Sequence, residues 1–136
     1  MGLFANFAIS GSALSAQSIR LNTTASNLAN VETIASSEAA AYRARQPVFQ
    51  TLLADASKPG ELGVRMLGIT ESLQGIERRY DPGHSQADEN GYIYTSNVNP
   101  VAEMANMLSA SRSYQNNVEV LNTSRDLLMR VLSLGS

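Results

Sequence analysis

No cysteine occurs in these 136 residues, and histidine and lysine each occur once. Without cysteine there are no disulfides and no thiolate metal sites. Charge is also scarce: Asp, Glu, Lys and Arg make up 16% of the chain, against about 25% in ordinary soluble domains. No run approaches the roughly eighteen apolar residues that a membrane-spanning helix requires, so no membrane insertion is expected. Nine of the ten basic residues are arginines, and they are scattered. Nucleic-acid binding needs a basic stripe that displaces phosphate counterions, and none is present, nor is there a polybasic segment for anionic lipid. The opening run MGLFANFAISGSALSA lacks an early Lys or Arg and is interrupted by Asn6, Ser10 and Ser12. It is read as uncleaved rather than as a signal peptide.

Chemistry-bearing constellations are equally thin. His84 stands near Asp81, Asp88 and Glu89, but one histidine with loop carboxylates falls short of a four-ligand zinc site. Asp88-Glu89-Asn90-Gly91 lacks the spaced oxygens of a calcium loop. No G-x-S-x-G elbow surrounds a serine, and no glycine-rich phosphate loop opens a helix. The carboxylate pairs Asp88/Glu89 and Glu71/Glu77 are the sole acid/base candidates. They leave one catalytic alternative, a peptidoglycan hydrolase associated with secretion. The residues otherwise indicate no enzyme, no cofactor and no metal.

What is present is concentrated at the two ends. Residues 1–30 carry a single charge, Arg20, whereas residues 31–100 hold six basic and nine acidic side chains. In the first segment Phe7, Leu14, Leu21 and Leu28 recur every seven residues among small side chains, the spacing of a helical seam. Its many Ser, Thr and Asn residues are mediocre helix formers, so this helix is expected to be marginal alone. The last segment opens with Asn99-Pro100, an N-cap and first-turn proline, and Gly135 sits at its expected end. Between them Val101, Met104, Met107, Leu108, Ser111, Tyr114, Val118, Leu121, Leu128 and Leu132 recur at three- and four-residue steps. Met104, Ser111 and Val118 form one row of this stripe; Met107, Tyr114, Leu121 and Leu128 form the other.

The fold class expected is mainly α with a small β-rich insertion, the long terminal helices pairing as a coiled-coil-like hairpin, antiparallel or parallel. Residues 1–30 and 101–136 would form one discontinuous helical domain, and residues 31–100 the loop and β-rich middle. Within that middle, residues 33–41 read as a loop, residues 42–50 as an extended piece around Pro47, and residues 54–61 as turn chemistry. Gly63 to Thr70 reads as a strand with Val64, Met66 and Ile69 inward. Ile76–Tyr80 and Tyr92–Thr95 read as further strands, bounded by the turns Asp81-Pro82-Gly83 and Asn90-Gly91. A helical hairpin monomer should show Lys and Glu opposite its seam. The bare outer faces here favour a second interface instead.

Several runs carry a family resemblance. Leu14-Ser15-Ala16-Gln17, followed by Ala25-Ser26-Asn27-Leu28-Ala29-Asn30, resembles the N-terminal signature of flagellar rod and hook proteins. Tyr80-Asp81-Pro82-Gly83-His84, Ala87-Asp88-Glu89-Asn90-Gly91-Tyr92 and Asn97-Val98-Asn99 resemble a proximal-rod member of that family. Glu103 to Met107, Ser109 to Gln115, Asn117 to Val120 and Asn122-Thr123 are similar to its terminal helix. The departure is Val31-Glu32-Thr33, where the family continues with Ala-Asn and a Thr/Gly turn, so the resemblance does not set the path of loop 31–50. It implies a non-enzymatic subunit of the basal-body rod in the periplasmic space, exported uncleaved through the flagellar export apparatus. Its partners would be copies of itself and other flagellar rod proteins. Subunit packing is then expected at Leu14, Leu21, Leu28, Met104, Met107, Tyr114, Val118, Leu121 and Leu128.

Overall fold

The computed structural model describes residues 3–53 and 62–135. The first element, α1 (Leu3–Ala29), and the last, α2 (Pro100–Leu134), are helices of 27 and 35 residues. Five strands lie between them: β1 (Ile34–Ala35), β2 (Arg45–Leu53), β3 (Leu62–Glu71), β4 (Arg78–Tyr80) and β5 (Tyr92–Thr95). The expected class holds: a pair of terminal helices around a small β-rich insertion. The turn expected at residues 54–61 lies outside the described residues.

Helix α1 tolerates its polar content because part of that content is satisfied locally. Ser12 Oγ donates to Ile9 O at 2.8 Å and Thr23 Oγ1 to Ile19 O at 2.9 Å. Side chains bonded to the preceding turn can enter an interface without an unpaired donor. Ser10, Ala16, Thr23, Thr24 and Asn27 are buried, whereas Phe7, Leu14, Leu21 and Leu28 are half-buried.

Helix α2 starts where its residues require. Asn99 Oδ1 accepts from Val101 N and Ala102 N, both at 3.1 Å, with Pro100 in the first turn. Those bonds satisfy backbone donors that have no partner inside the helix. Its buried residues are Glu103, Ala110 and Ser124; Met107, Asn117, Leu121 and Leu128 are half-buried. Together with Tyr114 these positions step by four and three, so the inner line alternates a large residue (Met107, Tyr114, Leu121, Leu128) with a small or polar one (Glu103, Ala110, Asn117, Ser124). Met104 is 61% exposed and stands beside this line.

The root of the helix pair is tied by the middle region. Ser96 Oγ donates to Val31 O at 2.7 Å, joining the chain just after α1 to the chain just before α2. The helices leave from one end and lie against each other, antiparallel. Near that root, β1, β5 and β4 form a small antiparallel sheet in the order β1-β5-β4. Ile93 on β5 is fully buried, alongside Ala35, Ala41, Ala44 and Val98. Strand β1 falls inside the segment read as loop.

Strands β2 and β3 form a separate antiparallel ribbon running from Arg45↔Glu71 to Leu53↔Leu62. A two-stranded ribbon consists of edges, where Pro47 is tolerated. The ribbon lies along α1: Val64 N donates to Ser12 Oγ at 3.2 Å, and Asn27 reaches Arg45 at the other end. Cross-strand partners share a face, and the register shift after Val48 makes Leu67 an extra residue. That bulge brings Ile69 onto the same face as Val64 and Met66, opposite Pro47 and Phe49. Helix α1 covers the face only in part. Val64 is half-buried, but Met66 and Ile69 remain exposed, against the inward placement expected of all three.

Candidate assembly interface

The most buried polar side chain belongs to the Ala25–Asn30 motif. Asn27, 1% exposed, sits near the end of α1. Its Oδ1 accepts from Arg45 N and from Tyr42 Oη, both at 2.9 Å, and its Nδ2 donates to Arg45 O at 2.9 Å. Because a backbone N–H can only donate, the Arg45 bond fixes which side of the amide is oxygen. The rest of the motif extends the clasp. Ser26 Oγ lies 3.3 Å from Tyr42 Oη, Asn30 Nδ2 donates to Ser26 O at 2.8 Å, and Thr33 Oγ1 donates to Asn30 Oδ1 at 3.2 Å. Leu28 and Asn30 are half-buried, while Ala25 and Ala29 are exposed. Asn27 therefore faces the interior rather than the bare outer face of its segment. It locks the entry of β2 onto α1.

Across the β-rich region a second polar residue closes a loop. Asp88 Oδ1 accepts from Asn90 N at 2.9 Å and Tyr92 N at 2.8 Å, and Tyr94 Oη donates to Oδ2 at 3.3 Å. The Tyr92 amide, ahead of the Asn90 amide and Tyr94 hydroxyl, holds the Asp88 carboxyl below its usual range. Gly91 has φ of +80°, and a Cβ there would meet Tyr80 Cε2 at 2.9 Å, so the Asn90-Gly91 turn requires glycine on two counts. His84 Nδ1 accepts from Gln86 N at 3.0 Å, another local turn bond. A carboxylate whose two oxygens close its own turn, with its ionised form favoured, is poorly placed to act as a general acid.

The remaining features are surfaces. Of the residues expected at subunit contacts, Leu14, Leu21, Leu28, Met107, Val118, Leu121 and Leu128 are half-buried, and Met104 and Tyr114 are exposed. Outward-facing α2 also carries Val101 and Leu108 near its start and Val120, Leu127, Val131 and Leu134 towards its end, all exposed. Contiguous exposed apolar residues at helical spacing mark an interaction surface. No helix among the described residues is long and apolar enough to cross a membrane.

Comparison with known proteins shows the family. Residues 7–34 match the family described as flagella basal body rod protein, and residues 89–134 match flagellar basal body rod FlgEFG protein C-terminal. The flagellar basal-body rod protein FlgC of Salmonella typhimurium is 47% identical over 135 residues, covering 99% of both chains. The chain belongs to the FlgC family of flagellar basal-body rod proteins. The Yersinia enterocolitica FlgC is 46% identical over 137 residues, with 99% of each chain covered. A more distant FlgC, from Buchnera aphidicola subsp. Baizongia pistaciae, is 36% identical over 137 residues and 99% of each. This is a family of structural rod proteins rather than enzymes. The two family matches fall on the two ends of the chain and contain the Ala25–Asn30 motif of α1 and the whole of α2.

Proposed function

We propose that the chain is a structural subunit of the basal-body rod that polymerises through its terminal helices, α1 and α2 forming a coiled-coil-like core for the axial shaft. The observation that carries this reading is the set of exposed apolar residues on α2, Val101, Met104 and Leu108 near its start and Val120, Leu127, Val131 and Leu134 towards its end, in a chain whose terminal segments match rod proteins. A subunit that grows into an open helical array needs two different complementary surfaces, one meeting the next copy's other surface. The half-buried Leu14, Leu21, Leu28, Met107, Val118, Leu121 and Leu128, with exposed Met104 and Tyr114, complete their burial on assembly. Other rod proteins are the further partners.

Low charge and modest helix propensity suit passage through the flagellar export apparatus, since ends that fold only when neighbours supply burial can travel extended. Residues 1–30 and 101–136 act as the assembling domain, and residues 31–100 brace its root. The experiment is electron imaging of basal bodies from a strain lacking this chain, with and without a complementing copy. Rods absent in the first and restored in the second support the reading; intact rods in the deletion strain refute it.

A further inference from the structure

Between α1, the start of α2 and the β2–β3 ribbon runs a groove of about 440 Å³. Its apolar wall is Ala16, Pro47, Phe49 and Val64, and Arg20 and Glu103 face into it. Glu103 is 7% exposed, yet among the described residues no ion pair or side-chain hydrogen bond reaches its carboxylate. No polar side-chain atom described is both enclosed and unpartnered, so the carboxylate oxygens retain access, and the groove provides it. Nearby cations are engaged elsewhere: Arg20 Nη1 donates to Gln17 Oε1 at 3.2 Å, and Arg45 Nε lies 3.8 Å from Glu71. A guanidinium entering the groove would therefore meet an accessible carboxylate that no cation holds, and could form a charge-assisted pair with it.

The other end of the same chain offers the complement. Helix α2 is eight residues longer than α1, and among the described residues beyond Ser124 only Leu128 is even half-buried. On this overhang Asp126 and Arg130 stand four residues apart, hence on one face. Neither is in an ion pair among the described residues. Leu127, Val131 and Leu134 give the overhang an apolar side. Asp126 with Arg130 matches Arg20 with Glu103 in both signs, and Leu127, Val131 and Leu134 match the apolar wall. Glu103 and Arg130 are separated by 27 helical residues, roughly 40 Å at 1.5 Å each, so one chain cannot bring them together.

We propose that the Asp126–Arg130 overhang of one copy seats in the α1–α2–ribbon groove of a second copy, with Arg130 pairing with Glu103. This rests on the rod-subunit reading and specifies its contact: a head-to-tail junction between unlike surfaces, able to repeat. Chain-swapped charges test it in the full chain, in cells, by quantifying the subunit in isolated basal bodies. Glu103→Arg and Arg130→Glu should each lower incorporation by about tenfold or more, and the double variant should recover most of it. A misfolded Glu103→Arg chain would not be rescued by a second change 40 Å away in the same molecule, so recovery is not explained by folding. The absence of cysteine adds a second readout: Glu103→Cys/Arg130→Cys subunits should form disulfide-linked oligomers in the basal body. Undiminished incorporation of both single variants, or a double variant no better than either, overturns the junction, the latter result pointing to a different rod protein in the groove. Absence of the unaltered chain from basal bodies would instead overturn the rod-subunit reading itself.

Discussion

At the scale of single residues, Asn27 does what an apolar side chain could not. Three hydrogen bonds converge on one amide, two of them to both backbone groups of Arg45. Removing the amide strands a buried N–H and a buried C=O, each worth about 1–3 kcal/mol. Asn27→Ala is therefore expected to destabilise the folded chain by about 2–4 kcal/mol, read as a lower urea midpoint. Asn27→Lys should behave as a folding defect too, because the site is interior. A midpoint unchanged in Asn27→Ala would show that the clasp contributes nothing. Nothing in the Ser/Thr/Asn-rich run marks Asn27 as interior: a helical asparagine is ordinarily solvent-facing, and its partners lie 15 and 18 residues on, in the irregular chain before β2 and at the first residue of that strand. The motif was legible as a family feature, but its physical task was visible only once Tyr42 and Arg45 folded back.

At the scale of elements, punctuation was the readable part. Asn99-Pro100 set the start of α2, and Asp81-Pro82-Gly83 and Asn90-Gly91 set the β4–β5 hairpin, because caps and turns depend on chemistry within a few residues. The inner line of α2 was half legible. Its large members, Met107, Tyr114, Leu121 and Leu128, stand out by hydrophobicity. The intervening Glu103, Ala110, Asn117 and Ser124 do not, and the more apolar row through Met104 draws attention one position away. Strand β1, two residues long, has no alternation to detect. The β4–β5 hairpin also gives a pH prediction. Asp88 has a folded pKa below its ordinary 3.8, lowered chiefly by the Tyr92 amide. A depressed carboxylate pKa adds stability that is present above the unfolded value and is lost as pH falls through the folded one. The Tyr92 amide resonance should therefore titrate with a midpoint below 3.8, accompanied by loosening of the hairpin in acid. In Asp88→Asn that transition should vanish; its persistence would assign it to another group.

At the scale of the whole molecule, the near absence of charge on α1 and the uncharged stretch in the middle of α2 support the proposed assembly. From Ser113 to Val118 six consecutive residues on α2 are uncharged, and Asn116 among them is exposed in the single chain. A face that met only water would gain solubility from Lys or Glu there. The chain instead keeps small amides, which can hydrogen-bond across an interface without the desolvation cost of an ion. Two surfaces can be separated by one substitution type. Asn116→Lys and Met104→Lys should each change the stability of the isolated subunit by only about half a kcal/mol, because both side chains are solvent-facing there. Packed against a neighbour, the same ammonium is desolvated and unpaired, at several kcal/mol per contact, repeated in every copy. The expected outcome is normal export with motility lost, measured as subunit level in the medium or periplasm beside swimming in soft agar. Lost motility with reduced export would indicate a secretion defect. Full motility in both variants would mean that the outer face of α2 meets water in the assembled rod, and the uncharged stretch would then carry no interface.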